Sequence, residues 1–470
     1  MPTNPLFCCL TAASLVIPAM VGCAPVGPNH QAPTMVLPAS FSDGGVKWKR
    51  QTPDTLPKPR SWWRLYNDAT LTSLVERSLS SNQNLAASAA RLRQAREISR
   101  ATRTLYFPDV NIGANAERSK SRPRGNQSGT NIQNTFSVPV DLSYEVDIWG
   151  KVSRQIESST AKEGAAEESL NALRLSIASE VAQTYWALRA VDADRALLNR
   201  TLDLRRRALG LLGQQRTAGA ISGLDYSRAE TEVASAESDR IALDRNRLEL
   251  VNALAVLGGA AATGSTVPER SDLPKPPSVP VSVPSELLRQ RPDIRAAERQ
   301  VAAANADIGV ATAAFYPSFV INASAGPSAS TIGNLFKSSS LIWSLGSSVT
   351  APLTSQVYLK SQKEAAVAAH EAASAEYRQT VLESMAEVEN ALQGSVILSR
   401  RQQAQEQALA SAEKTLDLST QRFKAGLVSF LDVVDAERTR LDAERAVNAI
   451  RSERLAVSVG LIKALGGEWN

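Results

Sequence analysis

The sequence predicts an α+β membrane protein whose transmembrane β-barrel is shared between protomers, four strands coming from each, and is continued by a long antiparallel α-helical coiled-coil barrel. Three observations predict this class. The chain carries an internal two-fold sequence repeat, each repeat contains a pair of alternating ten-residue segments, and each also contains an exceptionally long helical pattern.

Composition excludes several other classes of protein. The 470 residues are 43% hydrophobic but only 5% aromatic, with a formal net charge of +5 and no block of like charges. A nucleic-acid partner is therefore not expected. The two histidines are His30 and His370, and all three cysteines lie within the first 23 residues. This inventory predicts no catalytic, cofactor-binding or metal site.

The N-terminus has the pattern of a secretory signal. Residues 10–21 form an apolar run too short to span a bilayer, which predicts a signal peptide over 1–22. The string Met20-Val21-Gly22-Cys23 resembles the lipobox of bacterial lipoproteins. That resemblance implies that Cys23 carries a diacylglycerol and a palmitate and anchors the chain at the outer membrane; the alternative is an unmodified cysteine. Prolines predict an extended tether over 23–60.

The chain contains two copies of one module. Residues 218–225 match 425–432, and the aromatic-Pro segment 105–110 matches 314–319. The predicted modules span 61–259 and 285–470, joined by a Pro-rich connector over 260–284. Each is predicted to contain a helix (71–104 and 285–315), a β-hairpin (about 108–148 and 317–353), a long helix, a tip and a return helix.

The hairpins have one apolar and one polar face. Alternation over 109–117, 136–147, 318–325 and, less cleanly, 341–351 suits tilted transmembrane strands, although a half-exposed soluble sheet would alternate too. Four strands cannot close a barrel, so copies must share one. Two copies would give a filled barrel of eight strands, and three would give twelve. The wider ring is favoured by polar residues that would line a lumen: Asp109, Asn111, Asp141, Glu145 and Asn322.

The ends of the hairpins differ in composition. Aromatic residues at the helix–strand junctions suit either an interfacial girdle or ordinary packing: Tyr106, Phe107, Trp149, Phe315 and Tyr316. At the other end, a predicted loop over 117–134 contains Arg118, Lys120, Arg122 and Arg124. A solvated loop is favoured over contact with lipopolysaccharide phosphates.

The helical patterns over 152–217 and 356–424 would each extend about 100 Å. Their apolar residues recur at steps of three and four, which favours coiled-coil packing against the return helices 222–257 and 429–465. The hairpins are predicted to reverse at Gly219 and Gly426.

Acidic residues follow each reversal. Ser222 to Asp225 and Ser429 to Asp432 have capping-box spacing, whereas Asp435 lies one turn further in, where its repeat counterpart is Arg228. These carboxylates are either helix caps or, in a ring of chains, an acidic mouth.

Longer strings resemble the TolC-like outer-membrane factor family, in its lipoprotein branch serving resistance-nodulation-division efflux systems. These are SYEVDIWGKV, SELLRQRPDIRAAE, RFKAGLVSFLDVVDAER and KALGGEW. The resemblance implies a homotrimeric outer-membrane duct that works with a periplasmic adaptor (membrane fusion protein) and an inner-membrane transporter. It places the periplasmic aperture at Asp225, Asp432 and Asp435, and the adaptor-contact tips at Ala218, Gly219, Ala220, Ala425, Gly426 and Leu427.

Three other functions fit parts of the sequence. A type I secretion exit duct would share the architecture, and a periplasmic coiled-coil adaptor lipoprotein would explain the helices and the lipid. A lipid-anchored hydrolase would need a base, for which His370 in an Ala-rich helical run is the one candidate. The sequence favours a passive efflux duct that exports small molecules.

Overall fold

The computed structural model describes residues 25–36, 38, 61–121, 130–278 and 290–467. The predicted signal peptide, Cys23 and most of the tether lie outside the described residues, as do Arg122, Arg124 and part of the connector. None of the described helices combines the length and the apolar character needed to cross a membrane.

The elements follow one order twice. The first series is α1 (Ala69–Ser81), α2 (Gln83–Arg103), β1 (Asp109–Ile112), β2 (Asn115–Ser121), β3 (Asn131–Ser137), β4 (Val140–Val146), α3 (Lys151–Thr217) and α4 (Gly223–Leu257). The second series is α5 (Pro292–Ala313), β5 (Ser318–Ala329), β6 (Leu341–Thr350), α6 (Gln356–Lys424) and α7 (Phe430–Ala464). The predicted α+β class and two-fold repeat are therefore confirmed.

The helix expected over 71–104 is divided in two at Asn82. This residue has an extended backbone with ψ 128°, and its Oδ1 accepts hydrogen bonds from the backbone N–H groups of Asn84 at 2.9 Å and Leu85 at 3.2 Å. An asparagine side chain that satisfies free N–H groups starts a new helix. The continuous helical pattern concealed this cap.

The six strand segments make four passes through one antiparallel sheet. The β1–β2 pass keeps a single register with the β3–β4 pass from Asp109↔Ser143 to Ser121↔Asn131. The break between the segments falls where Gly113 N donates to Pro139 O at 2.9 Å, because Pro139 has no N–H to donate in return. The β3–β4 pass pairs with β5, and β5 pairs with β6.

The chain divides into two compact units that cut across the repeat. The first comprises the described residues within 25–34, 92–166 and 297–377, and the second those within 35–91, 167–296 and 378–467. In the first unit, α3 starts where the Asp147 carboxylate accepts hydrogen bonds from the N–H groups of Val152 at 2.9 Å and Ser153 at 2.8 Å. Asp147 therefore fixes the passage from β4 into the long helix.

The core of the second unit is aromatic. Trp62, Trp63, Tyr66, Tyr185 and Trp186 are all buried, and neighbouring ring centroids lie 5.0 to 6.4 Å apart. Burial raises the pKa of the Tyr66 hydroxyl, which hydrogen-bonds to Ser458 Oγ at 2.6 Å. Burial, with a hydrogen bond to Asp68, also raises the pKa of Tyr185 to about 12.

The extended segment 25–36 is fixed to the first unit by Arg154, which is 3% exposed. The Arg154 guanidinium donates to the backbone oxygens of Val26 and Gly27 and, at 2.8 Å, to Asn29 Oδ1. His30 Nε2 lies 2.8 Å from Glu298 Oε1. The beginning of the predicted tether is thus docked beside the base of the sheet.

Candidate functional site

The strand sheet is apolar on one face. Residues that pair directly across antiparallel strands face the same side, so the register assigns every side chain to a face. One face carries Val110, Ile112, Val140, Leu142, Tyr144, Val146, Phe319, Ile321, Leu341, Trp343, Leu345 and Val349. Trp343 is 77% exposed and Ile112 is 74% exposed. A contiguous exposed apolar face of this size is typical of a surface that contacts lipid or protein.

The opposite face is polar. All five residues predicted to line a lumen lie on it: Asp109, Asn111, Asp141, Glu145 and Asn322. Ser344, Gly346 and Ser348 of β6 continue this face. Alternation was therefore sufficient to assign the faces, even in the irregular 341–351 segment.

The predicted aromatic residues lie where the strands meet the helices, and they divide into two groups. Trp149 and Tyr316 stack with their ring centroids 4.6 Å apart, and Trp149 Nε1 donates to Pro317 O at 2.8 Å. Tyr106 is 47% exposed, Phe107 is 72% exposed and Phe315 is partly buried. Trp149 and Tyr316 form a stacked pair, although Tyr316 is still 40% exposed, whereas Tyr106 and Phe107 have the position and character of interfacial residues.

The predicted basic loop is shorter than expected. Strand β2 extends to Ser121 and β3 begins at Asn131, so Arg118 and Lys120 belong to a strand and not to a loop. The expectation of a loop over 117–134 was wrong, because apolar alternation stops at Ala116 although the hydrogen-bonded ladder continues.

The two helical tips, which lie in the second unit, have the same turn. Gly219 and Gly426 have φ values of +74° and +72°, in the left-handed region that favours glycine. Ala220 N donates to Gln215 O at 2.8 Å, and Leu427 N donates to Arg422 O at 2.9 Å. Both turns are Schellman motifs, which close the long helices. Ala218 and Ala425 complete the predicted tip sequences, and all six tip residues are exposed.

The first acidic residue after each turn hydrogen-bonds to the N-cap serine of its helix, and only at the second tip does its carboxylate also cap a backbone N–H. Ser222 Oγ donates to Asp225 Oδ2 at 2.7 Å, and at the second tip Ser429 N and Oγ donate to Asp432 Oδ2 at 2.9 and 2.8 Å. These hydrogen bonds from Ser429 lower the pKa of the Asp432 carboxyl, which therefore stays ionised.

Among the described residues, the Asp435 carboxylate makes no such capping contact. It is exposed on α7, and its backbone oxygen accepts a hydrogen bond from Thr439 Oγ1 at 2.8 Å. The carboxylate of Asp435 is thus available to solvent one turn beyond Asp432.

A charged cluster near the tips was not predicted. Arg205 of α3 is 8% exposed and contacts Glu232 of α4 at 3.1 Å and Glu437 of α7 at 3.3 Å. Arg438 of α7 pairs with the same Glu232. Glu232 lies seven residues beyond Asp225, about 10 Å along the helix. These contacts join three helices of the second unit directly behind the tips.

A cavity of about 560 Å³ lies beside this cluster. Its lining includes Leu204, Ala208, Leu416, Phe430 and Val434 from α3, α6 and α7. The cavity is open to solvent on one side and therefore forms a groove between these helices.

The two histidines occupy unremarkable positions. His30 pairs with Glu298, and His370 is partly buried on α6. In the part of the chain that the structure describes, no group of three residues could hold a metal ion.

A sheet with one apolar face, in a chain with helices of 67 and 69 residues, defines the class of channel-forming outer-membrane proteins. The chain belongs to the outer membrane efflux protein family, which matches residues 74–260 and 283–467. It is an outer-membrane component of an efflux system.

Known proteins of this kind resemble the chain over most of its length. The pyoverdine export outer membrane protein OpmQ of Pseudomonas aeruginosa is 32% identical over 417 residues, covering 87% of this chain and 88% of OpmQ. Outer membrane protein OprJ of the same species is 30% identical over 464 residues, covering 97% and 96%. The solved outer-membrane channel OprN is 29% identical with a TM-score of 0.86, covering 94% of this chain and 99% of OprN.

Proposed function

We propose that three copies of the chain assemble into a passive duct that exports small molecules across the outer membrane. The observation that carries this proposal is the amphipathic sheet. The outer sides of its two edge passes, β1–β2 and β6, pair with no other strand among the described residues. Open edges are not tolerated in lipid, so sister chains complete the ladder. Three copies would give twelve strands around a lumen lined by the polar face.

The helical tips form the periplasmic aperture of the duct. Asp225, Asp432 and Asp435 from three chains would place nine carboxylates around it, a ring that attracts cations and repels anions. The capping hydrogen bonds from Ser429 do not oppose this role, because they lower the pKa of the Asp432 carboxyl.

The tips also supply the docking surface for a periplasmic adaptor. Leu427 is 69% exposed and Leu224 is 60% exposed, close to the Schellman turns of their hairpins. Such isolated apolar side chains on rigid turns suit contact with a helical hairpin. An inner-membrane transporter would provide the energy, since the duct has no nucleotide site in this proposal.

A lipid on Cys23 would anchor the chain beside the barrel. Pro25 lies against Gly150, at the base of the sheet, where a Cβ on the glycine would come within 2.5 Å of Pro25. Two residues span at most about 7 Å, so acyl chains attached at Cys23 would begin close to the level of Trp149 and Tyr316. This position supports a diacylglycerol and palmitate anchor in the inner leaflet of the outer membrane.

Single-channel recording of the double variant Asp432→Ala/Asp435→Ala tests the aperture. We expect a changed current and weaker cation selectivity than in the wild-type protein, because the ring loses six of its carboxylates while the barrel is unchanged. Asp442→Ala, which removes an exposed carboxylate from α7 away from the tip, is the matched control and should behave as wild type. Unchanged conductance and selectivity in the double variant would overturn the aperture assignment.

A further inference from the structure

Two cations lie on the apolar face of the sheet, beyond its apolar band. The register of β1–β2 with β3–β4 is constant, so Arg118 and Lys120 share a face with Val110 and Ile112. Glu117 and Ser119 point to the opposite, polar face. A shift of one residue would exchange the two sets, so this placement follows directly from the register.

Arg118 and Lys120 lie just beyond the last apolar residue of their strand. The last apolar pair is Ala116 with Phe136, after which Arg118 pairs with Asn134 and Lys120 with Ile132. Arg118 is two residues beyond Ala116, about 7 Å along the strand, and Lys120 is about 7 Å further. This is the height at which the lipid hydrocarbon gives way to headgroups. Ile132, which pairs with Lys120 and is 52% exposed, adds apolar surface beside it.

Neither cation has an acidic ion-pair partner in the part of the chain that the structure describes. The adjacent Glu117 faces the other side of the sheet. Both side chains are exposed. A positive pair at the lipid boundary without a protein counter-ion attracts an anionic headgroup.

We propose that Arg118 and Lys120 form a binding site for the phosphate groups of an outer-leaflet lipid. The site rests on the proposed function, since it needs the apolar face to contact lipid. The Arg118 guanidinium offers the planar pair of donors that phosphate oxygens accept, and the Lys120 ammonium lies on the same face to engage a second oxygen or a second phosphate. The apolar band below receives the acyl chains.

The chain provides an exact internal control for this site. Ser119 and Ser121 follow the two cations on the opposite face, so the variant R118S/S119R/K120S/S121K keeps composition and net charge while moving both cations away from lipid. A second variant, Arg118→Gln/Lys120→Gln, removes the charges without moving any other group.

The experiment measures lipid retained by the trimer in detergent, using native mass spectrometry. The probes are diphosphorylated lipid A, the same lipid without phosphates, phosphatidylglycerol and inorganic phosphate. We expect the wild-type protein to retain diphosphorylated lipid A, and both variants to bind it roughly 25-fold more weakly, about fivefold for each cation. The phosphate-free lipid and inorganic phosphate should bind the wild-type protein no better than they bind the variants.

Two results would overturn the site: equal retention of lipid A by the wild-type protein and the face-exchanged variant, or equal binding of the phosphate-free lipid. Stronger retention of phosphatidylglycerol than of lipid A would overturn the assignment to the outer leaflet. Conductance in planar bilayers separates this failure from failure of the duct. A wild-type protein that conducts but lacks selective lipid binding refutes the lipid site alone, whereas one that neither inserts nor conducts refutes the proposed function.

Discussion

The charge cluster behind the tips shows how single residues join the helical hairpins. Glu232 is 8% exposed and receives both the buried Arg205 and the more exposed Arg438. Removing a buried partner leaves its counter-ion desolvated and unpaired, which costs more than the pair contributes.

We therefore expect Glu232→Gln to destabilise the local pairing of α3, α4 and α7 by about 3 kcal/mol. Amide hydrogen exchange near residues 205, 232 and 438 measures this local opening. Glu237→Gln is the control, because Glu237 lies on the same helix in a pair with the exposed Arg206 and its loss should cost at most about 1 kcal/mol. Equal protection in the two variants would show that the buried cluster does not hold the helices together.

Neither the repeat nor the periodicity of the sequence predicts this buried charge cluster. The repeat counterpart of Glu232 is Thr439, and arginine and glutamate on a long helix are ordinarily solvated. Asp432 is the opposite case, since the spacing of Ser429 and Asp432 by itself predicted the observed cap. Local hydrogen bonds can be predicted from spacing, whereas burial of a charge depends on helices distant in the chain.

In the sheet, neighbouring residues of one strand face opposite surroundings, so the same substitution should affect them differently. Leu142 lies on the apolar face and Ser143 on the polar face of β4. We expect Leu142→Arg to destabilise the inserted barrel by about 2–4 kcal/mol, because it places a charge against lipid hydrocarbon. Ser143→Arg should leave stability nearly unchanged and reduce cation selectivity.

Denaturant titration in lipid vesicles, followed by the mobility of the folded protein on gels, measures both effects. If the two substitutions were equally tolerated, or if Ser143→Arg were the more harmful, the assignment of the lipid face would be wrong.

Element boundaries were predictable where a period and a cap agree. The long helix α6 has the predicted bounds 356–424, and α3 begins one residue before the predicted 152. The predicted boundaries were wrong where the sequence pattern and the backbone structure change at different residues. The helical pattern continues through Asn82, where a cap divides α1 from α2. Conversely, the ladder of β2 continues past Ala116, where the alternation ends.

For the whole molecule, the aromatic core makes the free energy of unfolding depend on pH in the alkaline range. Burial and the hydrogen bond to Asp68 raise the pKa of Tyr185 to about 12, from about 10 in an unfolded chain. The folded state therefore holds the proton more tightly. The contribution of the protonated Tyr185 to the free energy of unfolding is complete below pH 10 and is lost as the pH rises from 10 towards 12.

We expect the free energy of unfolding to fall over this window, and to fall less steeply in Tyr185→Phe, which has no proton to lose there. Tyr358→Phe, at a residue that is 64% exposed, is the control. Parallel pH profiles for wild type and Tyr185→Phe, measured by thermal unfolding, would contradict this account of the core.

The outer passes of the sheet are β1–β2 and β6, separated by three strand spacings in one chain, about 14 Å. A disulfide needs Cα atoms within about 7 Å, so cysteines on these two edges cannot join within one chain. In a closed barrel the same edges of neighbouring chains lie side by side.

Oxidative cross-linking of cysteine pairs across these edges is the most direct test. Asn111→Cys would be combined in turn with cysteine at Ser344, Gly346 or Ser348, all on the polar face, in protein purified from membranes. We predict that at least one pair yields covalent dimers and trimers, while each single-cysteine variant yields no trimer. The absence of intermolecular links in every pair, from protein with the mass of a single chain, would contradict the account.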